Sequence, residues 1–289
     1  MIDLCSPRQT REILKKHGFS TRKKYGQNFL INPSILDEMI DAADISKDDF
    51  VLEIGPGIGT MTQRLCQRAS HVTAVEIDKE LIPLLDETLS EYTNKNIINA
   101  DILKTDIKQI SDTYNNSNKI KVVANLPYYI TTPVIMELLK AENPIESITV
   151  MVQKEVAMRM IADPIGKEYG ALSLAVQYYT EPTIICTIPP QAYIPPPKVD
   201  SAVVHLRMRS EPPVKSSDPK FMFALIKAAF AQRRKTLANA IANSAELTFP
   251  KDTVIEVINK CGFDINIRGE KLKLEDFALL SDRLRGESK

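Results

Sequence analysis

The chain has 289 residues, of which 44% are hydrophobic and 26% charged, a composition typical of a globular protein with one large core or two smaller ones. No apolar run approaches the ~20 residues that span a bilayer, and the first twenty residues lack the apolar stretch of a secretion signal. We therefore expect a cytoplasmic protein. Its cysteines (Cys5, Cys66, Cys186 and Cys261) lack the close pairs of a zinc site, so free thiols and no bound metal are expected.

The net charge is zero, but the charges are unevenly distributed. Residues 1–30 hold seven Lys or Arg and two Asp or Glu (+5), residues 31–210 hold sixteen and twenty-four (−8), and residues 211–289 hold fourteen and eleven (+3). A neutral chain argues weakly against a nucleic-acid partner. Basic ends around an acidic middle argue the other way, because they can place positive faces beside a small-molecule site. Chance surface charge explains the same pattern, so charge alone decides nothing.

From residue 49 onward, short β-rich segments alternate with helical patterns. The predicted strands are 50–55, 71–77, 96–100, 119–125 and 147–153, and the predicted helices between them are 60–69, 79–91 and 133–141. This alternation predicts an α/β fold with a mostly parallel, Rossmann-like sheet and helices on both faces. Segments 183–188 and 201–209 follow with no long helix between them, which predicts an antiparallel pair at the sheet edge.

The C-terminal part of the sequence shows a linker followed by helical patterns. Residues 211–219 (EPPVKSSDP) are typical of a linker, and the pattern beyond them is helical. We therefore predict a basic N-terminal extension (1–25), an α/β domain (26–211) and a small all-helical domain (212–289).

A glycine-rich loop, Glu53-Ile54-Gly55-Pro56-Gly57-Ile58-Gly59-Thr60, joins the first predicted strand to the first predicted helix. Glycines there let the backbone turn tightly and approach a ligand closely. The dinucleotide-binding pattern is G-x-G-x-x-G, with a pyrophosphate on the helix N-terminus. Here the spacing is G-x-G-x-G, Thr60 occupies the third dinucleotide position, and Glu53 places a carboxylate before the loop. These departures disfavour a pyrophosphate.

Two more acids lie at predicted strand ends. Glu76 ends the second strand, where an acid would accept hydrogen bonds from both ribose hydroxyls. Asp101 follows the third strand and is placed to bind an adenine amino group. Together they predict a nucleoside site that needs no phosphate charge, and S-adenosylmethionine fits because it has an adenosine, a cationic sulfur and an amino-acid tail. The predicted cofactor contacts in these segments are Glu53, Gly55, Gly57, Gly59, Glu76, Ile77, Asp101 and Ile102.

The most specific stretch, Asn125-Leu126-Pro127-Tyr128, follows the fourth predicted strand. Tetrapeptides of this type are typical of methyltransferases that act on a planar amino nitrogen. The exocyclic nitrogen of adenine is a poor nucleophile because its lone pair is delocalised into the ring. Hydrogen bonds from it to the Asn125 side-chain oxygen and the Leu126 carbonyl would favour a pyramidal nitrogen. Pro127 fixes the direction of that carbonyl, and Tyr128 would stack on the base.

These segments resemble the ribosomal RNA adenine dimethyltransferases of the KsgA type, over nearly the whole chain from about residue 24. The resemblance is carried by residues 26–30 (GQNFL), 53–60, 125–128, 194–201 (IPPPKVDS) and 230–235 (FAQRRK). It implies a class I methyltransferase sheet in 26–211 that uses S-adenosylmethionine, and a helical RNA-binding domain in 212–289. The implied product is a pair of adjacent N6-dimethyladenosines in a terminal loop of small-subunit rRNA, with a role in small-subunit biogenesis.

The resemblance also implies residue roles. Asn28, Leu30 and Asn125 would contact the cofactor, with Asn125 shared by the target base. Tyr193, at a position that is typically Phe in the family, would be the second aromatic clamping the adenine, and its hydroxyl would need a partner. A loop substrate makes physical sense, because an unpaired base leaves the stack at least cost.

Two basic clusters are predicted to contact RNA phosphates: Arg22, Lys23 and Lys24, and Arg233, Arg234 and Lys235. A solvated charged face is the competing interpretation. The expected partner is small-subunit rRNA within a pre-ribosomal small subunit, bound by a monomeric protein, with no membrane or metal partner.

Three other functions stay open at this point. A large-subunit rRNA adenine methyltransferase that confers antibiotic resistance is the nearest, although IPPPKVDS and FAQRRK favour the small-subunit enzyme. A non-catalytic assembly or transcription factor is disfavoured by the intact segments 55–59 and 125–128. A nicotinamide oxidoreductase is disfavoured by the missing third dinucleotide glycine.

Overall fold

A computed structural model of the chain describes residues 4–18, 28–164 and 166–287. The chain forms two compact units, Met1–Ala157 with Glu181–Met208, and Met158–Thr180 with Arg209–Lys289. The helical unit thus begins its second segment close to the predicted boundary at 211, but it also takes residues 158–180 out of the predicted α/β domain. The physical reason is packing, because Tyr169, Leu174 and Tyr178 are buried in the hydrophobic core of the helical unit.

A seven-stranded sheet and a two-stranded ribbon are seen in the described part of the chain. The strands are β1 (Phe29–Leu30), β2 (Phe50–Ile54), β3 (His71–Glu76), β4 (Lys95–Asn99), β5 (Ile120–Asn125), β6 (Ile145–Gln153), β7 (Thr180–Ile188), β8 (Tyr193–Ile194) and β9 (Ser201–Met208). The sheet order is β4-β3-β2-β5-β6-β9-β7. The strands from β4 to β6 pair in parallel, and β9 is antiparallel to β6. The predicted mostly parallel sheet with an antiparallel edge is confirmed.

The α-helices connect the strands and make up most of the second unit. They are α1 (Pro7–Lys16), α2 (Pro33–Ala42), α3 (Thr60–Arg68), α4 (Ile82–Thr88), α5 (Ile107–Tyr114), α6 (Thr131–Leu138), α7 (Lys154–Met160), α8 (Ala171–Tyr179), α9 (Pro219–Ala231), α10 (Leu237–Ala242), α11 (Lys251–Lys260) and α12 (Leu274–Glu287). Several begin where the sequence has a capping residue. For example, Asp218 accepts a hydrogen bond from the Phe221 N–H at the start of α9.

The position of strand β2 in the sheet determines where a ligand can bind. It pairs in parallel with β3 on one side and with β5 on the other. The connections that leave the carboxyl ends of β2 and β5 therefore run in opposite directions along the sheet. In open α/β sheets this reversal opens a crevice outside the carboxyl ends, where ligands bind.

Residues 4–18 of the predicted basic extension pack within the α/β unit. Within residues 4–18, α1 buries Ile13 and Leu14 in a cluster with leucines of α4. Lys16 and His17 contact Glu87 of α4 at 2.6 and 2.9 Å. Some of the N-terminal positive charge is therefore already paired within the α/β unit.

Gly269 allows a close approach between two parts of the helical unit. It begins a short 3₁₀ helix (Gly269–Lys271) against α9, and a Cβ at this position would lie 2.7 Å from the Cβ of Ala229. We expect Gly269→Ala to lower the free energy of unfolding by about 1–3 kcal/mol, because neither backbone can move away cheaply. Urea denaturation followed by circular dichroism measures this change.

Gly286→Ala is the matched control, because a methyl group on this exposed glycine of α12 would have no other atom within 4 Å. Alanine there should be neutral or stabilise the protein by up to about 1 kcal/mol through helix propensity. Equal unfolding midpoints for the two variants would show that the contact at Gly269 is not restrictive.

Candidate active site

An open cleft lies at the carboxyl ends of β2, β3, β4 and β5, inside the α/β unit. It encloses about 1070 Å³, including its open mouth. All the predicted catalytic and cofactor-binding residues except Gly59 line this cleft: Asn28, Leu30, Glu53, Gly55, Gly57, Glu76, Ile77, Asp101, Ile102, Asn125, Leu126, Pro127, Tyr128 and Tyr193.

The glycine-rich loop passes along the floor of the cleft. Gly57 has a φ of 60°, and a Cβ there would lie 3.2 Å from the ring of Phe29, so a side chain would be both strained and crowded. Gly59 differs from the prediction. It precedes α3 with a φ of 90°, and a Cβ there would face Thr88 and Leu85 of α4 instead of the cleft. Its small size serves helix packing, not ligand contact.

Glu76 ends β3 with its carboxylate held by the backbone. Oε1 accepts from the Asp78 N–H at 2.8 Å, and Oε2 accepts from the Gly57 N–H at 3.3 Å. Burial, offset only in part by these hydrogen bonds, raises the pKa of Glu76 to about 7. The carboxylate therefore joins the glycine loop to the end of β3 and lines the cleft where a ribose could bind.

Glu53 is the most unusual group of the site. It is fully buried and lines the cleft, yet neither carboxylate oxygen has a hydrogen-bond partner. Burial raises its pKa to about 8; the nearby Thr62 hydroxyl, which is too poorly placed to form a hydrogen bond with it, opposes this shift, and the charge of Glu76 adds a little to it. Buried carboxylates without partners are costly, so the position favours a cationic ligand group that would pair with it.

Asp101 forms the third acidic wall of the cleft. It caps the short 3₁₀ helix Ile102–Lys104, and its Oδ1 accepts from the Leu103 N–H at 3.1 Å. Ile77 lines the cleft as well, although it is 45% exposed. An exposed aliphatic side chain beside an acid provides a flat apolar surface and a hydrogen-bond acceptor, which suits a purine.

Asn125 ends β5 and is oriented by the N-terminal part of the pocket. Its Nδ2 donates to the Asn28 carbonyl at 3.2 Å. This contact leaves Oδ1 to accept a hydrogen from a ligand. Leu126 is anchored by its N–H, which donates to the Met151 carbonyl at 3.1 Å, and its side chain is buried.

The β1–β8 ribbon brings the second aromatic residue to the cleft. Tyr193 pairs with Leu30 across the ribbon, and the Ile31 N–H donates to the Ala192 carbonyl at 2.9 Å. The buried Tyr193 hydroxyl donates to the Sδ of Met151, which supplies the partner that the sequence required. The Tyr128 hydroxyl lies 2.8 Å from Ser201 Oγ.

The roles of some residues in this site were not predicted from the sequence. Met151 carries no motif signal, because its role depends on strands that meet far from the loop they support. Ser201 ends the segment 194–201 that carries the family resemblance, but no role was predicted for it. Tyr129 follows Tyr128, lines the mouth of the cleft and is 55% exposed. The aromatic doublet at 128–129 was a signal that could have found it.

The predicted RNA contacts are only partly described. Arg22, Lys23 and Lys24 lie outside the described residues. In the helical unit, the Arg233 guanidinium donates to the carbonyls of Lys167 and Tyr169 and lies 3.5 Å from Glu270.

Arg233 is therefore engaged within its own unit. Arg234 and Lys235 are exposed in the turn after α9, and they are the members of this cluster best placed to meet a phosphate. None of the helices in the described ranges is long and apolar enough to cross a bilayer. The four cysteines, all of them described, form no disulfide.

The chain is similar in sequence to known proteins over almost its whole length. The family described as ribosomal RNA adenine dimethylase matches residues 18–284. The ribosomal RNA small subunit methyltransferase A of Lachnoclostridium phytofermentans is 56% identical over 283 residues, covering 98% of each chain. The protein of the same name from Bacillus licheniformis is 48% identical over 285 residues, again covering 98% of each.

Two solved structures share the fold. A dimethyladenosine transferase from Plasmodium falciparum aligns with a TM-score of 0.72 and 28% identity, over 87% of this chain and 95% of that one. The 23S rRNA methyltransferase ErmE aligns with a TM-score of 0.66 and 26% identity, over 89% of this chain and all of that one. With the family match over residues 18–284 and these identities over nearly its full length, the chain belongs to the ribosomal RNA adenine dimethylase family.

Proposed function

We propose that this protein uses S-adenosylmethionine to dimethylate the N6 nitrogens of two adjacent adenosines in a terminal loop of small-subunit rRNA. One observation carries the cofactor assignment. Within the described ranges, no Lys, Arg or His lines the cleft, whereas three carboxyl groups do, those of Glu53, Glu76 and Asp101. Such a cleft disfavours a phosphate-bearing cofactor such as NAD and favours a cationic nucleoside.

The residues present fit each part of that cofactor. Glu53, buried and without a partner, would take the ammonium of the amino-acid tail. Glu76 would accept from the ribose hydroxyls, and Asp101 from the adenine amino group, with Ile77 and Ile102 beside the ring. When bound, the cofactor supplies a methyl carbon activated by a sulfonium.

The chain's own residues act on the target base. The Asn125 Oδ1 and the Leu126 carbonyl accept hydrogen bonds from the adenine amino group, which turns its lone pair towards the methyl carbon. Tyr128 and Tyr193 hold the two faces of the ring. Positioning of this kind supplies much of the rate of a direct transfer.

The proton that leaves the nitrogen needs no strong base. The methylated amino group is acidic enough to lose its proton to water, and among the described residues no histidine lines the cleft. A second transfer to the same nitrogen requires only that the base remain bound or return with fresh cofactor.

The RNA partner is supported by chemistry outside the cleft. We propose that Arg234 and Lys235, together with Arg22, Lys23 and Lys24, contact phosphates of the rRNA. The protein would act as a cytoplasmic monomer on a pre-ribosomal small subunit, where the loop is still accessible.

Methylation of large-subunit rRNA is the second candidate, because ErmE is named as a 23S rRNA methyltransferase. Relatives named for the small subunit are 56% and 48% identical over nearly the whole chain, against 26% for ErmE. The higher identity favours the small subunit.

The test is methyl transfer from labelled S-adenosylmethionine to undermethylated small and large subunits, followed by mapping of the modified bases. We expect label on two adjacent adenosines of small-subunit rRNA, at two methyl groups each. Label confined to the large subunit would replace this proposal with the second candidate, and no label on either would refute both.

A further inference from the structure

The hydroxyl groups of the two aromatic residues of the cleft each form a polar contact. Tyr193 donates to Met151 of β6, whereas the Tyr128 hydroxyl meets Ser201 Oγ at 2.8 Å. Ser201 is fully buried and does not line the cleft, so its contact with Tyr128 lies outside any cofactor contact.

The Tyr128 side chain is only partly buried. Tyr128 begins the short 3₁₀ helix Tyr128–Ile130, none of whose residues is buried. A tyrosine on such a segment can change rotamer unless a contact prevents it. The hydroxyl contact with Ser201 is one such restraint.

Ser201 is a rigid anchor for that contact. It is the first residue of β9 and pairs with Gln153 of β6, at one end of a ladder that continues to the pair Ser147–Arg207. Beside it, the Lys154 N–H donates to the Asp200 carbonyl at 3.0 Å. Its neighbours Ala202 and Val203 are apolar and buried, so the Ser201 hydroxyl depends on the hydroxyls of Tyr128 and Tyr193 for its hydrogen bonds.

We propose that Ser201 is a positioning residue for methyl transfer, whose hydroxyl holds the Tyr128 ring in the orientation on which the target adenine stacks. The inference rests on the proposed function, since it assigns a role within adenine methylation. Loss of the hydroxyl leaves the stacking ring and the cofactor contacts present but lets the ring move. The effect should therefore fall on kcat and leave the cofactor affinity unchanged.

The test measures single-turnover and steady-state methylation of undermethylated small subunits by four variants. Ser201→Ala should lower kcat about tenfold with little change in affinity for S-adenosylhomocysteine. Ser201→Thr, which keeps a hydroxyl and suits a strand, should restore most of the rate. Tyr128→Phe removes the same hydrogen bond from the other side, so Ser201→Ala combined with Tyr128→Phe should be no slower than the slower single variant.

Ser147→Ala is the matched control, because Ser147 is a buried serine at the far end of the same ladder. It should methylate at the wild-type rate. If wild type is active but Ser201→Ala keeps full kcat, or if the losses of Ser201→Ala and Tyr128→Phe multiply, this inference is wrong while the proposed function stands. If wild type itself methylates no adenine, the proposed function fails first.

Discussion

Replacing Asn125 by alanine should lower kcat for adenine methylation about 10²–10³-fold, the loss typical of removing one preorganised hydrogen-bonding group from an active site. The Asn125 amide is oriented by the Asn28 carbonyl, which leaves Oδ1 to receive the target amino group. Alanine removes both this acceptor and the link to the N-terminal part of the pocket. Single-turnover transfer of labelled methyl groups to undermethylated small subunits measures the loss.

Asn259→Ala is the control for Asn125→Ala, because Asn259 is exposed on α11 and should leave the rate unchanged. Binding to the small subunit, measured by cosedimentation, should survive in both variants. A rate for Asn125→Ala within threefold of wild type would contradict the assigned role. If the variant loses methylation but supports subunit assembly and normal growth, the assembly role outweighs the chemistry.

Replacing Glu53 by glutamine should remove a large part of the pH dependence of stability in the ligand-free protein between pH 5 and 8. The buried carboxyl keeps its proton up to a pKa of about 8, whereas its ordinary value is 4.5. Between these values the folded state binds one more proton than the unfolded state, so the free energy of unfolding falls as pH rises. The slope is about 1.4 kcal/mol per pH unit, or on the order of 4 kcal/mol across the interval.

Urea denaturation of the ligand-free wild type and of Glu53→Gln at pH 5, 6, 7 and 8 measures that slope. The amide is neutral throughout, so the variant should keep only the dependence from Glu76, which has the same sign and ends near the Glu76 pKa of about 7. At pH 8 the variant should be the more stable protein. A variant that loses stability with pH as steeply as wild type would show that Glu53 does not hold its proton.

The affinity for the cofactor should rise with pH, whereas the free energy of unfolding should fall. A cationic ammonium favours the ionised carboxylate, so calorimetry should show tighter binding of S-adenosylhomocysteine to wild type at pH 8 than at pH 6. Glu53→Gln should weaken binding about 10–100-fold at pH 8 and less at pH 6. Equal affinities for wild type and variant at both pH values would show that Glu53 does not bind the cofactor.

The glycine loop shows where sequence reasoning about the site succeeds and where it stops. Spacing alone places Gly55, Gly57 and Gly59 after a buried strand, and all three adopt the left-handed backbone conformation that glycine permits. Spacing does not say which face of the loop each glycine presents. Gly59 faces α4 because the start of α3 turns it away from the cleft, and only the packed helices decide that.

The helical unit illustrates a second limit. Residues 158–180 precede β7 in the chain, so their order alone assigns them to the α/β domain. Their apolar residues Leu174 and Tyr178 pack with the core of the helical unit. The sequence predicted no helix here, and the core that α8 joins depends on contacts with α9, some forty residues further on.

The strand pattern alone predicts the parallel sheet, the acids and amide at its strand ends, and the cofactor chemistry that these groups favour. This follows because the carboxyl ends of parallel strands meet at one edge, so Glu76, Asp101 and Asn125 must converge once the strands pair. The hydrogen bonds that orient the two aromatic residues are visible in the folded protein alone. The contacts of Tyr128 with Ser201 and of Tyr193 with Met151 depend on strand register and on the packing of distant segments, which no local pattern encodes.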